Sequence, residues 1–251
     1  MKRFRSLCAI TLAALMSAPA MVNAQGITNI VLVHGAFADG SSWSTVIERL
    51  QARGYHVTAV QNPLTSLQDD VDATERVIAR QHGDVLLVGH SWAGAVVTQA
   101  GNNEKVRGIV YLSALIPDSG ESVSDLLNRL GSPMEGMTPD SHGLIWLDSP
   151  AAFQHVMAAD VASDEVQKLA AVQQPIAASA FNDKIKQAAW KGKPSWYLLT
   201  QNDNALPYKV QKKIAAQTGS VTKTLHSSHL SLISHPDDVA TFITKAAKSL
   251  N

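Results

Sequence analysis

Cysteine is nearly missing from this 251-residue chain, with Cys8 the only one. That excludes a disulfide framework, a cysteine-rich zinc site and thiol chemistry elsewhere in the chain. Net charge is missing too, since 21 Lys and Arg balance 21 Asp and Glu. Such a balance gives no support to a nucleic-acid partner or a broad anionic surface. Charged residues make up only 17% of the chain, while 45% is hydrophobic. This excludes a disordered polyelectrolyte and fits one enzyme-sized domain with a well-buried core.

The first 24 residues read as a leader. Lys2, Arg3 and Arg5 form a positive start, and Leu7 to Met16 is an apolar stretch too short to span a bilayer comfortably. Val22-Asn23-Ala24 then offers small residues where a signal peptidase reads, so cleavage is expected after Ala24. Cys8 would leave with the leader, and the remaining domain, residues 25–251, would be slightly acidic. A periplasmic or secreted protein is expected, with no membrane attachment after cleavage and no thiol to oxidise.

Beyond the leader, short apolar runs alternate with amphipathic ones. Ile30-Val31-Leu32-Val33, Tyr55 to Val60, Val85 to Val88, Val106 to Leu112, Ser195 to Leu199 and Val221 to Leu225 read as six strands. Helices are expected from Ser41 or Ser42 to Arg53, Asp69 to Gln81, Trp92 to Gly101, Tyr208 to Gln217 and Pro236 to Lys248. Nearly all-apolar strands alternating with helices predict an α/β fold whose mainly parallel sheet is covered on both faces. Residues 115–190 break the rhythm, being rich in Ala, Met and Gln, and read as a helical cap inserted between the fourth and fifth strands.

The informative stretch is Val88-Gly89-His90-Ser91-Trp92-Ala93-Gly94. A strand runs into Gly-x-Ser-x-small-Gly and straight on into a helix, the context in which this motif carries a nucleophile. Such a turn strains the serine backbone, so the positions two residues away on either side must be small, as Gly89 and Ala93 are. The serine then sits at a helix N-terminus, where the Trp92 N–H can hold a developing oxyanion. A second donor is expected from Ala36, in the loop His34-Gly35-Ala36-Phe37 after the first strand. His34 reads as a structural hydrogen-bonding residue, and the His90 side chain is expected to turn away from the site.

A base for Ser91 must stand over the carboxyl edge of the sheet. Among His226, His229 and His235, His229 is best placed on the loop after the last strand, with His226 as the alternative. The acid should leave the end of an earlier strand. Asp203, after Leu198-Leu199-Thr200, gives the order serine, acid, histidine that goes with such an elbow, and Asp118 is its competitor.

With these residues in view, the chain resembles the α/β-hydrolase superfamily over essentially all of residues 25–251. It looks most like the compact branch of plant hydroxynitrile lyases, plant methyl esterases and bacterial esterases. The likeness rests on Val31 to Phe37, Val88 to Ser91, Leu115-Ile116-Pro117-Asp118, Pro194 to Tyr197, and Ser228-His229 to Pro236. It implies a sheet reduced to six strands, a triad of Ser91, Asp203 and His229, and neither metal nor cofactor. Lyases of the branch carry a threonine after the first-loop histidine and a lysine beside the catalytic one. Gly35 and Leu230 stand at those positions here and favour ester hydrolysis.

The expected activity is cleavage of small apolar or aryl carboxylic esters through an acyl-enzyme. Phe37, Met134, Met137, Trp146, Phe153 and Met157 are expected to line the pocket, though each has plain packing as an alternative. Rival readings are a lactonase or hydroxynitrile-lyase-like enzyme on the same triad, and a non-catalytic binding protein on a hydrolase scaffold. Nothing in the sequence sets an oligomeric state.

Overall fold

The computed structural model describes residues 26–134 and 136–250, so the expected leader lies outside the described residues. Six strands form one sheet: β1 (Asn29–Val33), β2 (His56–Ala59), β3 (Val85–His90), β4 (Val106–Leu112), β7 (Ser195–Thr200) and β8 (Val221–Leu225). Their order is β2-β1-β3-β4-β7-β8, and every pairing is parallel. Burial explains the sequence pattern. β1, β3 and β7 are buried along their whole length, whereas the edge strands β2 and β8 are largely exposed or half-exposed. Only a strand covered on both faces can be apolar at every position.

The helices are α1 (Ser44–Gln51), α2 (Leu67–Ala79), α3 (Ala93–Ala100), α7 (Tyr208–Thr218) and α9 (Pro236–Lys248). The chain steps from β1 outward to β2, then back across β1 to β3, and continues in that direction to β8. Right-handed crossovers therefore place α1 on one face and α2, α3 and α7 on the other. The packing agrees, because α1 lies against α9 and α2 against α3. Local signals set the helix ends. Ser66 caps α2 by accepting from the Asp69 N–H, and Gly219 ends α7 at φ 63°. In α9, Asp237 and Asp238 in the first turn and Lys245 and Lys248 in the last complement the helix dipole.

Between β4 and β7 lie α4 (Val123–Arg129), α5 (Pro150–Met157) and α6 (Ser163–Ala171). This insertion is not wholly helical. β5 (Leu144–Ile145) and β6 (Ile176–Ala177) pair as an antiparallel ribbon within it, and two residues per strand are too few to show a period in sequence. A short α8 (Ser231–Ser234) follows the β8 loop. No helix among the described residues is long and apolar enough to cross a membrane.

Because the chain turns left from β1 and later right to β3, the order reverses at β1/β3. The loops leaving the carboxyl ends of those two strands flank a crevice, the usual place for a ligand in an open α/β sheet. Gly35 and Ser91 leave those two ends.

Candidate active site

Ser91 occupies the turn between β3 and α3 with φ 54°, in the left-handed region that non-glycine residues seldom enter. Its surroundings over-determine that conformation. A Cβ at Gly89 would lie 2.6 Å from Cγ2 of Val97 and 2.8 Å from the Ala93 carbonyl oxygen. A Cβ at Gly35 would lie 2.7 Å from the Ser91 Cβ. The two loops thus approach closely because Gly35 has no side chain, and the elbow closes onto its own helix because Gly89 has none.

Three side chains meet above this turn. The Ser91 hydroxyl is 2.7 Å from Nε2 of His229, and Nδ1 of the same ring is 2.7 Å from Oδ2 of Asp203. The side chains of His229 and Asp203 are 2% and 0% exposed, so water does not compete for either bond. Asp203 also accepts from the Ala205 N–H at 2.9 Å, the Leu206 N–H at 2.7 Å, the Thr200 hydroxyl at 2.7 Å and Nε2 of Gln211 at 3.0 Å. Every neighbour of this carboxylate is a donor. The Nδ1 atom of His229 therefore carries the hydrogen, which leaves Nε2 as an acceptor for the serine hydroxyl.

Gln211 was not among the expected site residues. It lies on the buried face of α7 with Val210, Ile214 and Ala215. A glutamine on a helix's apolar side is the signal that could have marked it, since a buried amide needs partners. Its amide bonds Thr200, Asp203 and Leu206, and its carbonyl accepts from the Thr200 N–H at 2.9 Å.

The other histidines separate by partner. His34 sends Nδ1–H to the Gly35 carbonyl at 2.9 Å and accepts from the Asn62 N–H at 2.9 Å, so it braces the first loop as expected. Burial holds its pKa below the usual imidazole range. His90 differs from expectation. Rather than turning away, its ring packs 4.8 Å from that of His229 and donates from Nε2 to the His229 carbonyl at 3.0 Å. Burial first, and then the neighbouring His229, hold the His90 pKa well below the ordinary value, so it stays neutral beside the site. His226 is exposed on the β8 loop. Asp118, the competing acid, instead pairs with Lys191.

Ala36 and Trp92 both stand on the wall of the cavity in front of Ser91. Neither backbone N–H is taken by an acceptor among the described residues. Phe37, Met134, Met137 and Met157 share that wall, with Leu115, Leu127, Phe181 and Leu206 also on it. Two expected pocket residues are elsewhere. Trp146 is 41% exposed and donates to Asp140 at 3.1 Å, and Phe153 is buried against a different, smaller cavity. Both follow from the β5–β6 ribbon and α5, whose faces helical periodicity over the whole insertion could not resolve. Among the described residues, no group of three or more His, Cys, Asp or Glu side chains converges to hold a metal ion.

Comparison with known proteins adds to this geometry. Over 245 residues the chain is 27% identical to the alpha/beta hydrolase nvfD of Aspergillus novofumigatus, covering 87% of this chain and 96% of that one. Methylesterase 1 of Arabidopsis thaliana is 24% identical over 252 residues, covering 87% and 95%. A pyrethroid hydrolase of Sphingobium wenxiniae is 30% identical over a shorter stretch, covering 47% and 46%. Among solved structures, polyneuridine aldehyde esterase superposes with a TM-score of 0.75 at 19% identity, covering 88% of this chain and 99% of that one. Residues 30–242 match the alpha/beta hydrolase family, and the chain belongs to it.

Proposed function

We propose that this hydrolase cleaves carboxylic esters with Ser91 as nucleophile, His229 as base and Asp203 as the acid that orients it. The carrying observation is the unbroken relay of two 2.7 Å hydrogen bonds from Ser91 through His229 to Asp203. In this reading His229 takes the proton from Ser91 as the hydroxyl attacks the ester carbonyl. The free N–H groups of Ala36 and Trp92 receive the oxyanion, each donor of this kind accelerating the step by about a hundred- to a thousand-fold. Protonated His229 then hands its proton to the departing alcohol. A water activated by the same ring releases the acid and frees the serine.

Small, neutral, apolar or aryl esters are the proposed substrates. Apart from Ser91 and His229, the cavity wall is built of apolar residues, which offer nothing to a charged ligand. The names of relatives point the same way: a pyrethroid hydrolase, a carbendazim hydrolysing esterase and a methylesterase. Gly35 and Leu230, where lyases of the branch carry threonine and lysine, support hydrolysis over cyanohydrin cleavage. Export through a leader cleaved after Ala24 is likewise proposed. N-terminal sequencing of protein recovered from the periplasm should begin at Gln25, and retention of Lys2 would end that reading.

Labelling with a fluorophosphonate, followed by an ester panel, tests the activity. Ser91 should be the modified residue, and Ser91→Ala should lower ester kcat by about a million-fold with the fold intact. An unlabelled Ser91 would favour the binding-protein reading. Cyanohydrin cleavage without ester cleavage would favour a lyase.

A further inference from the structure

Phe37 is the one described residue that lines both the cavity in front of Ser91 and a second, smaller cavity. The second is walled mostly by apolar side chains, Phe153, Leu169, Leu230 and Ile233 among them, with Asp39, Ser41 and Ser42 beside them. It continues into a groove between the segment from Ser41 to Thr45 and α6, with Leu169, Val172 and Ile233 on both stretches. Val172, at 59% exposure, stands where that groove meets solvent. Phe37 is thus the wall shared by the cavity at Ser91 and a mostly apolar second cavity, beyond which the groove turns mixed, with Glu165 and Lys168 on it.

The conformation of Phe37 is itself unusual. Its φ is 62°, a left-handed backbone that strains a bulky residue, yet the residue is only 4% exposed. It directly follows Ala36, the proposed oxyanion donor on the cavity wall. The strained turn places a large side chain as a wall beside the reacting carbonyl, where a glycine would relieve the strain and remove the wall.

We propose that Phe37 determines specificity by separating a short reactive pocket from an unused, mostly apolar distal subsite. The wild-type enzyme then takes esters with short arms. Once the ring is removed, the distal subsite accepts a straight alkyl arm. This proposal rests on the esterase reading and deepens it by naming what limits substrate length.

The test is kcat/KM for two series on the wild type and on Phe37→Ala. One series is p-nitrophenyl esters from acetate to octanoate, the other alkyl acetates from methyl to octyl, so that the acyl and alcohol arms are told apart. Wild type should lose at least about tenfold between the short and the eight-carbon members of the responding series, since a hydrophobic pocket discriminates by roughly 10–200-fold per misfit group. Phe37→Ala should reverse that ranking. Adding Leu169→Trp, which refills the distal cavity, should restore the short-arm preference, whereas Leu169→Trp alone should leave the wild-type ranking unchanged. Phe37→Leu, with more of the packing retained, should give an intermediate profile even if the alanine variant folds poorly. Wild type that turns over octanoyl and octyl esters as well as short ones, or variants that keep the wild-type ranking in both series, would overturn the partition. Failure of the underlying reading looks different, with no ester turned over and no fluorophosphonate on Ser91.

Discussion

The indole Nε1–H of Trp92 donates to Oδ2 of Asp70 at 2.7 Å, while Oδ1 of that carboxylate accepts from the Leu64 N–H at 2.8 Å. Asp70 is 0% exposed. It therefore anchors the residue after Ser91 to α2. It also anchors the loop at Leu64, whose carbonyl accepts the Ala177 N–H from β6 of the cap at 2.9 Å. One buried carboxylate thus connects the elbow, a core helix and the cap.

That burial makes Asp70 a stability switch of known sign. Desolvation raises its pKa to about 6, against the pull of the bonds from Trp92 and Leu64, and nearby Asp69 raises it further. The native state then binds this proton before the unfolded chain does. From this group alone, stability rises as pH falls from about 6 towards 4, by at most about 3 kcal/mol. Asp70→Asn removes the titration. Urea unfolding of both proteins at pH 4.5, 5.5 and 7.5 should give a stability difference that changes with pH in this window. Parallel pH dependences would refute the assignment.

The close approach of the two loops gives a second expectation. Gly35→Ala places a methyl against Ser91 Cβ and the His90 carbonyl, at 2.7 and 2.8 Å. Backbone must shift, and it carries both Ser91 and the Ala36 N–H. Ester kcat should fall by at least about a hundredfold, the value of one misplaced oxyanion donor. Gly89→Ala presses instead on Val97 and the Ala93 carbonyl, so it should also cost about 1–3 kcal/mol of stability from overpacking. Activity and urea midpoints measured together separate the two effects, and full activity in Gly35→Ala would contradict the packing.

The parts of this arrangement that could be read in advance share a physical basis. β4 and β8 run from Val106 to Leu112 and from Val221 to Leu225, as their apolar and β-branched residues indicate, and α9 opens at Pro236 because proline fits a first helical turn. Ser91 was legible because its strained turn demands small neighbours at fixed offsets. Gln211, Asp70 and the His90 ring contact were not. Each acts through a partner distant in the chain, and spacing within one element carries no information about that partner. Trp146 and Phe153 do not line the cavity at Ser91 for a related reason: Trp146 follows a two-residue strand with no period, and the α5 periodicity buries Phe153 without saying against which cavity.

Asp203 and its supports should separate in kinetics. Asp203→Asn keeps the shape but can present Nδ2 to His229 in place of an acceptor, favouring the wrong tautomer, and kcat should drop on the order of ten-thousand-fold. Gln211→Leu leaves the carboxylate with its remaining donors and touches no reacting atom. Its activity loss should be far smaller, with about 1–3 kcal/mol of stability lost because Thr200 loses a buried partner. Equal kinetic losses in the two variants would mean that the orientation of Asp203, rather than its charge, limits the reaction.

The cap is tied to the His229 loop by Asp160, after α5. Its carboxylate accepts from the Ser228 N–H at 3.0 Å and from the Ser228 hydroxyl, one residue before His229. His235 lies 3.6 Å away. The α5 end holds on at two further points, with the Leu230 N–H donating to the Met157 carbonyl at 2.9 Å and Asn204 to the His155 carbonyl at 2.8 Å. Burial alone would raise the Asp160 pKa, but the Ser228 bonds, the Ser234 hydroxyl and the charge of His235 together bring it below the ordinary value. The sign is therefore opposite to that of Asp70. This contribution is present above the unfolded carboxylate pKa and is lost as pH falls through the lowered native one. Asp160→Ala should cost about 1.5–3 kcal/mol at neutral pH, the worth of hydrogen bonds to a charged group, and should lower kcat as the His229 loop loosens. Hydrogen exchange locates the effect. Faster exchange at Ser228 and Leu230, with β3 and β4 unchanged, is expected, and unaltered protection at both amides would show that α5 holds the loop without Asp160.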